Sequence, residues 1–282
     1  MTPLADPAPR RDLEALRAAV EPLGGAAVAY SGGADSALVL RACLEFLPRD
    51  LVVAFTGRSE SLKPAELERA AALARDLGAR HEVLDTDELA DPAYVRNAPD
   101  RCWHCKSELY AKVGEAARRL GLPAVVDGLN ADDRVEERPG ARAAAEAGVR
   151  SPLREAGLGK EAVRRLSRAL GLPTWDKPAE PCLSSRIPFG TPVTPERLAR
   201  VRAAEEVLAR LGFRVHRVRH HEALARVELP AGDLARAMEP SVRAAIVEGL
   251  KAAGYAFVAL DLEGFRSGSA HEALRPGPGL PV

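Results

Sequence analysis

The chain has 282 residues, a length that predicts one large domain and a smaller one. Its 40 basic side chains balance 40 acidic ones, so it lacks the overall positive charge of a protein that neutralises many phosphates, and we expect no nucleic-acid partner. No stretch approaches the roughly 18 uninterrupted apolar residues of a membrane helix, and the N-terminus lacks the apolar run of a signal peptide, so we expect a cytoplasmic protein without a membrane partner.

Short apolar runs alternate with helical patterns in the first part of the chain. A disordered leader is expected over residues 1–11. Strands are predicted over 26–30, 51–55, 81–84 and 124–127, and helices over 13–20, 36–47, 64–77, 107–120 and 160–170. Short buried strands separated by helices are typical of a parallel sheet covered on both faces. Residues 12–178 are therefore predicted to form a doubly wound α/β domain.

A proline-rich segment without a clear period, residues 177–195, is predicted to connect the two domains. Beyond it, helices are predicted over 195–211 and 240–253, and strands over 213–219, 224–229 and 256–262. This order predicts a smaller α+β domain with a mostly antiparallel sheet over residues 179–273. The proline- and glycine-rich residues 274–282 are expected to form a flexible tail.

The glycine loop, residues 31–36, follows the first predicted strand and precedes a helix. Its sequence, Ser-Gly-Gly-Ala-Asp-Ser, brings backbone N–H groups and the positive end of a helix dipole to the carboxyl edge of the sheet. The glycines allow close approach to an anion, and the serine hydroxyls can donate to it. The loop lacks the Gly-Lys-Ser/Thr ending of the Walker loop.

The glycine loop resembles the signature of the PP-loop ATP pyrophosphatases. This resemblance implies an adenine-nucleotide alpha-hydrolase-like fold, cleavage of ATP between its α and β phosphates, and transfer of AMP to a carboxylate or amide oxygen. It also implies that Asp35 holds Mg²⁺ near the pyrophosphate. The expected ATP and pyrophosphate contacts are Ser31, Gly32, Gly33, Asp35 and Ser36.

A second polar segment, residues 127–133, follows the last strand of the first domain and is expected to face the same crevice. Its acids are Asp127, Asp132 and Asp133. Two interpretations remain open for them: they assist metal binding or loop ordering, or they cap a turn before a helix.

The four cysteines favour a metal or redox site over a disulfide framework in a cytoplasmic protein. Cys43 lies among apolar residues of a predicted helix and is expected in the core. Cys102 and Cys105 form a C-x-x-C before a predicted helix, whose dipole favours thiolates, and Cys182 lies in the connecting segment. Three thiolates can hold a four-iron, four-sulfur (4Fe-4S) cluster and leave one iron without a protein ligand. The alternatives are a zinc site, with His104 as the nearest further ligand, and free or redox-active thiols.

Charged residues of the second domain follow its predicted elements. The strand period of two puts Arg217 and Arg219 on one face, where they are suited to bind anions. Glu205 falls on the apolar stripe of the preceding helix and needs a partner, for which Arg186, Arg217 and Arg219 are available. The alternative is a surface strand with solvated arginines.

Nearly the whole chain resembles the LarE family of sulfur transferases, which mature the nickel-pincer nucleotide cofactor of lactate racemase. The most specific likeness covers residues 177–191, Lys-Pro-Ala-Glu-Pro-Cys-Leu-Ser-Ser-Arg-Ile-Pro-Phe-Gly-Thr, with further likeness over 217–219, 225–230 and 264–268. The resemblance implies adenylation of the carboxylates of pyridinium-3,5-biscarboxylic acid mononucleotide and replacement of AMP by sulfur. It also implies a homo-oligomer such as a hexamer, and a second domain that binds the substrate. The residues implied around the substrate are Ser185, Arg186, Glu205, Arg217 and Arg219.

Members of this family differ in their sulfur source. Some donate a cysteine's own sulfur and keep a dehydroalanine, whereas members with three cysteines placed like those at 102, 105 and 182 carry a cluster that presents a sulfide. Cys182 stands one position from the sacrificial cysteine, and Cys102 stands where those members have tryptophan. Both differences favour the cluster, with Cys102, Cys105 and Cys182 as catalytic and metal-binding residues and an unknown sulfide donor. The alternative functions are a PP-loop tRNA thiolase, an amide-forming ligase, and a non-catalytic ATP-binding protein with a structural metal.

Overall fold

The computed structural model describes residues 6–133 and 138–266, which divide into two compact units. The first unit runs to Tyr94 and continues over Ala98–Glu180, and the second comprises Val95–Asn97 and the residues from Pro181 onward. The predicted tail over 274–282 lies outside the described residues. No helix in the described ranges is long and apolar enough to cross a membrane.

The helices are α1 (Pro7–Val20), α2 (Ala34–Phe46), α3 (Pro64–Asp76), α4 (Pro92–Val95), α5 (Arg101–Leu120), α6 (Pro139–Glu146), α7 (Pro152–Glu155), α8 (Lys160–Ala169), α9 (Pro195–Arg210), α10 (Ala231–Met238) and α11 (Pro240–Ala252). The strands are β1 (Ala26–Ala29), β2 (Val52–Arg58), β3 (Arg80–Asp85), β4 (Val125–Val126), β5 (Arg217–His221), β6 (Leu224–Glu228) and β7 (Phe257–Leu260).

Parallel strands in the order β3-β2-β1-β4 form the sheet of the first unit. Side chains alternate between the two faces of a strand. Ala26 and Val28 of β1 therefore point into one core, which includes residues of α1, α2 and α8. Ala27 points into the other core, with Val113 and Ala116 of α5. Helices cover both faces, and the predicted doubly wound α/β fold is confirmed.

The first helix begins earlier than predicted. Asp6 Oδ1 accepts a hydrogen bond from Ala8 N at 3.0 Å, and Pro7 takes the first helical position, where its missing N–H has no helical partner to lose. Residues 7–11 are consequently helical. The prediction of a disordered leader over residues 1–11 is wrong for this part.

The fifth helix also begins earlier, at Arg101 rather than Ser107. Trp103 N donates to Asp100 O at 2.7 Å in its first turn. Cys102 and Cys105 therefore lie inside the helix and not before it, one turn apart. Asp100, directly before the helix, is of a residue type that often precedes one, a signal that the prediction did not use, although its side chain makes no capping hydrogen bond here.

The second unit has a sheet in the order β5-β6-β7. Because β5 and β6 pair antiparallel but β6 and β7 pair parallel, the prediction of a mostly antiparallel sheet is only half right. Two helices, α10 and α11, connect β6 to β7, and such a crossover returns the chain in the same direction. Leu208 of α9 and Leu250 of α11 pack against Val218, Ala225 and Val227 to form the core.

Three residues, Val95–Asn97, join the second unit, and no pattern in the sequence indicated this. Asn97 is fully buried and has a left-handed backbone with φ of 58°, which asparagine tolerates better than most residues. Its Nδ2 donates to Pro188 O and Thr191 O, each at 2.8 Å, and its own O accepts from Gly190 N at 3.0 Å. Asn97 therefore holds the loop that follows the Cys182 segment.

Candidate functional site

The first candidate site lies at the carboxyl edge of the first unit's sheet, between β1 and β4. The chain runs from β1 outward to β2 and β3 and then returns to place β4 on the other side of β1. Doubly wound proteins bind ligands in the crevice that opens at such a reversal. The glycine loop follows β1, and residues 127–133 follow β4. Both predicted segments therefore reach this crevice.

The two segments are in direct contact. Asn130 Nδ2 donates to Asp35 Oδ1 at 3.0 Å. A Cβ atom on Gly128 would lie 2.8 Å from Ser36 N, so only glycine lets the backbone approach α2 this closely. The prediction that residues 127–133 face the same crevice as the glycine loop is confirmed.

Hydrogen bonds of two serine hydroxyl groups order the glycine loop. Ser36 Oγ accepts from Ser31 N at 3.2 Å and lies 3.1 Å from Ser31 Oγ. Helix α2 starts directly after Gly33, with no side chain capping its N-terminus. The first N–H groups of a helix lack intrahelical acceptors and carry the positive end of the dipole. This arrangement suits an anion such as pyrophosphate.

Packing also requires glycine at position 32. Gly32 has a φ of +69°, and a Cβ atom there would lie 2.8 Å from Ala70 Cβ and 2.9 Å from Ala70 Cα on α3. The loop is therefore held between α2 and α3 in a conformation that other residues adopt only with strain.

Asp35 lies half-buried in the first turn of α2. Burial raises the pKa of its carboxyl group, the hydrogen bond from Asn130 opposes this, and the charge of Asp133 raises the pKa further. A partly desolvated carboxylate beside a second one favours a bound cation. Asp35 thus fits the implied Mg²⁺ ligand, since Mg²⁺ needs only one or two protein carboxylates when phosphate oxygens and water supply the rest.

The acids of residues 127–133 have protein partners that order the loop. Asp127 accepts from Tyr110 Oη at 2.9 Å and from Ser151 Oγ at 2.8 Å. Asp132 Oδ2 accepts from Lys160 N at 2.7 Å and so caps α8. Asp133 Oδ2 accepts from Asn130 N at 3.2 Å. These contacts agree with the loop ordering of the first interpretation and with the capping of the second, whereas metal binding by these acids stays a prediction.

The cysteines are all free thiols, but they differ in burial. Cys43 is fully buried in the core, as predicted, and burial raises its pKa to about 12. Cys102 is exposed, and Cys105 is half-buried with its Sγ donating to Glu88 Oε1 at 3.4 Å. Cys182 of the second unit is half-buried and immediately precedes a short 3₁₀ turn. The accessible thiols are therefore the three that the C-x-x-C and the connecting segment supply.

His104, the further zinc ligand considered in the sequence analysis, contacts a carboxylate. Its Nδ1 lies 2.9 Å from Asp91 Oδ2, on the side of α5 that lines a cavity of about 300 Å³ together with Glu88 and Glu108. Within each unit, the described residues include no group of three or more His, Cys, Asp or Glu side chains placed to hold a metal ion.

A buried charge cluster forms the second candidate site, in the second unit. Arg186 Nε and Nη2 donate to Glu205 Oε1 and Oε2 at 2.8 and 3.2 Å. Val218 N donates to Glu205 Oε1 at 3.0 Å. Glu205 is only 2% exposed, so its charge requires such partners. The predicted pairing of Glu205 with an arginine is confirmed.

Arg186 also braces the segment that carries Cys182. Its Nη1 donates to Pro181 O at 2.7 Å and to Ser185 Oγ at 2.9 Å. Ser185 Oγ in turn donates to Cys182 O at 2.7 Å. Both side chains therefore fix the backbone around Cys182, a contact pattern that the sequence did not indicate.

The two arginines of β5 lie buried on the same face, so the alternative of solvated arginines is wrong. Arg219 Nε donates to Glu228 Oε1 at 3.0 Å, and its Nη1 donates to Ser185 O at 2.8 Å. The Arg217 guanidinium carbon lies 5.2 Å from the centre of the Phe265 ring. The prediction did not include Glu228 among the site residues. The strand period of two predicts which face of its strand Glu228 occupies, and in the observed register it lies opposite Arg217.

No family model matches the chain. An uncharacterized protein of Synechocystis sp. is 45% identical over 262 residues, which are 93% of this chain and 97% of that protein. The pyridinium-3,5-bisthiocarboxylic acid mononucleotide synthase of Lactiplantibacillus plantarum is 40% identical over 259 residues, which are 92% of this chain and 93% of that enzyme. A tRNA(Ile)-lysidine synthase of Novosphingobium aromaticivorans matches locally, at 34% identity over 121 residues, 42% of this chain and 34% of that protein. The likeness to the synthase over nearly the full length of both chains means that this chain belongs to the LarE family of pyridinium-3,5-bisthiocarboxylic acid mononucleotide synthases.

Proposed function

We propose that the chain is an ATP-dependent sulfur transferase that adenylates the two carboxylates of pyridinium-3,5-biscarboxylic acid mononucleotide and converts each to a thiocarboxylate. The observation that carries the proposal is the glycine loop, which presents an uncapped helix N-terminus at the crevice of a parallel sheet. The product follows from the relative in Lactiplantibacillus plantarum, which is named for the bisthiocarboxylic acid mononucleotide.

Adenylation removes an obstacle to the chemistry. A carboxylate resists attack by sulfur because the leaving group would be oxide, whereas an acyl adenylate releases AMP. In the first step a carboxylate oxygen would attack the α-phosphorus of ATP, and the bond to the bridging oxygen of the β phosphate would break. The N–H groups of the glycine loop would hold the departing pyrophosphate. Asp35 would hold Mg²⁺, which neutralises the phosphate charge when bound.

The second unit would bind the anionic groups of the mononucleotide. Among its described residues, Arg186, Arg217 and Arg219 are buried and supply three guanidinium groups. Arginine binds phosphate and carboxylate through paired N–H groups and can stabilise charge on an acyl oxygen under attack. We assign Arg217 and Arg219 to these contacts. Ser185, Arg186 and Glu205 would support them by ordering the Cys182 segment.

For sulfur delivery, we assign Cys102, Cys105 and Cys182 as the thiolate ligands of a 4Fe-4S cluster. Their accessibility supports this assignment, since Cys43 is closed in the core. Cys102 and Cys105 also lie three residues apart at the start of α5, a spacing that puts both on one side of the helix. A cluster with three protein ligands keeps one iron open and would supply a bound sulfide for transfer.

The adenylation proposal is tested by pyrophosphate release. With MgATP, the protein should release pyrophosphate when the pyridinium mononucleotide is present, and not when the mononucleotide is omitted or replaced by tRNA. Release that requires tRNA would instead identify a tRNA thiolase. Binding of ATP without release under any of these conditions would identify a non-catalytic nucleotide-binding protein.

The cluster proposal needs a separate test with two cysteine variants. Anaerobically reconstituted protein should contain iron and at least as much inorganic sulfide, and should absorb through sulfur-to-iron charge transfer. Cys102→Ala should lose both, whereas Cys43→Ala should keep them, because Cys43 is buried in the core. Stoichiometric zinc without iron would contradict the cluster.

A further inference from the structure

A lysine outside the expected phosphate-binding set contacts the glycine loop. Lys177 Nζ donates to Gly32 O at 3.1 Å and to Glu66 Oε2 at 2.7 Å. Glu66 is buried in the first turn of α3, and Arg69 Nε donates to its other oxygen, Oε1, at 3.1 Å. Glu66 is therefore paired with two cations, and one of them, Lys177, also bonds the loop.

The contact acts on a single peptide group. Gly32 O belongs to the peptide bond whose N–H is that of Gly33. Because a trans peptide is planar and its C=O and N–H point in opposite directions, a cation at Gly32 O fixes the direction of Gly33 N–H. Gly33 N–H donates to Ser31 Oγ at 3.4 Å, and Ser31 Oγ lies 3.1 Å from Ser36 Oγ. The lysine therefore holds one backbone donor on the side of the loop where the two hydroxyl groups lie.

We propose that Lys177 is a positioning residue of the pyrophosphate site. It keeps Gly33 N–H directed at the anion, polarises that N–H through the peptide, and adds positive charge next to the leaving group. The inference rests on the proposed function, in which ATP is the substrate and pyrophosphate a product. It also assigns a function to Lys177 as the first residue of 177–191, the segment with the most specific likeness to the family.

A purely structural role for the lysine makes a different prediction. The Glu66 pair would then serve only to tie residue 177 to α3, as the pair between Lys63 and Glu180 does at 3.3 Å. The two lysine side chains are equally exposed, at 18% each. Lys63, at the start of the same helix, is thus a matched control for the loss of a part-buried ion pair.

The experiment measures binding of Mg-pyrophosphate by titration calorimetry and thermal unfolding of the same proteins. Lys177→Met should raise the dissociation constant about tenfold or more, the size of one lost charge-assisted hydrogen bond. Lys177→Arg, which keeps the charge and the donors, should recover most of that loss. Lys63→Met should lower the melting temperature as Lys177→Met does but leave the dissociation constant within about twofold of wild type.

Two outcomes would overturn the inference. One is a dissociation constant for Lys177→Met equal to that of Lys63→Met, and the other is a loss that Lys177→Arg does not recover. In both cases the wild-type protein still binds pyrophosphate, so the proposed function stands. Wild-type protein that bound neither MgATP nor Mg-pyrophosphate would overturn the proposed function and this inference together.

Discussion

Gly24 and Gly32 adopt almost the same left-handed backbone, with φ of +68° and +69°. A Cβ atom at Gly24 would meet nothing within 4 Å, whereas one at Gly32 would collide with Ala70. Gly24→Ala should therefore lower the free energy of unfolding by roughly 1–2 kcal/mol, the strain of the left-handed conformation. Gly32→Ala should lower the free energy of unfolding by about 1–3 kcal/mol more than Gly24→Ala, because the added methyl group overpacks the contact with Ala70. It should also abolish pyrophosphate release. Denaturant unfolding and the release assay measure both effects, and equal behaviour of the two variants would contradict the close packing of the loop.

Glu205 is a buried carboxylate that compensates the charge of the buried Arg186 guanidinium. Glu205→Ala leaves the Arg186 guanidinium buried without its carboxylate, which should lower the stability of the second unit by about 3–5 kcal/mol. Glu21→Ala breaks the exposed pair with Arg17 and should lower the stability far less, because water screens this pair. Urea unfolding followed by far-UV circular dichroism measures the difference. A loss at Glu205 as small as that at Glu21 would mean that water reaches Arg186.

At the level of elements, the segment after β4 is tied to α8 through a cap. Asp132→Ala removes that cap and should lower the free energy of unfolding by about 1 kcal/mol. Asp6→Ala, which uncaps α1, should have a similar effect and serves as the matched control. Both variants should keep pyrophosphate release, because the Asn130 contact to Asp35 uses neither side chain. Loss of release in Asp132→Ala alone would instead identify Asp132 as a metal ligand.

Elements with a clear period could be predicted from the sequence, and those defined by distant contacts could not. The parallel sheet follows from short apolar runs between helices, the glycine loop from its residue types, and the buried position of Glu205 from the helical period of 3.6 residues. Lys177 and Gly32, by contrast, are separated by 145 positions, and no local pattern records their contact. Asn97 binds backbone carbonyl groups of the second unit. Because every residue carries such a group, these partners leave no signal in the sequence. The start of α5 was missed because residues 101–106 carry no clear apolar period.

In the whole molecule, two carboxylates of the first unit respond to acid in opposite ways. Burial would raise the pKa of Glu66, but hydrogen bonds from Lys177 and Arg69 hold it below the ordinary 4.5. The stabilisation from Glu66 is therefore complete above pH 4.5 and is lost as the pH falls through the lower folded-state value. Burial raises the pKa of Asp127 above the ordinary 3.8. The charged form of Asp127 therefore lowers stability above the raised value, and this penalty disappears below pH 3.8.

Glu66→Gln and Asp127→Asn should consequently show opposite pH dependence. The stability of wild type minus that of Glu66→Gln should be largest at neutral pH and shrink below pH 4.5, because the variant cannot lose a charge there. The stability of wild type minus that of Asp127→Asn should instead rise as the pH falls toward 3.8. Urea unfolding between neutral pH and this range measures both, and tryptophan fluorescence reports the first unit because Trp103 and Trp175 lie there. Curves that stay parallel to wild type for both variants would mean that neither carboxylate changes its pKa on folding.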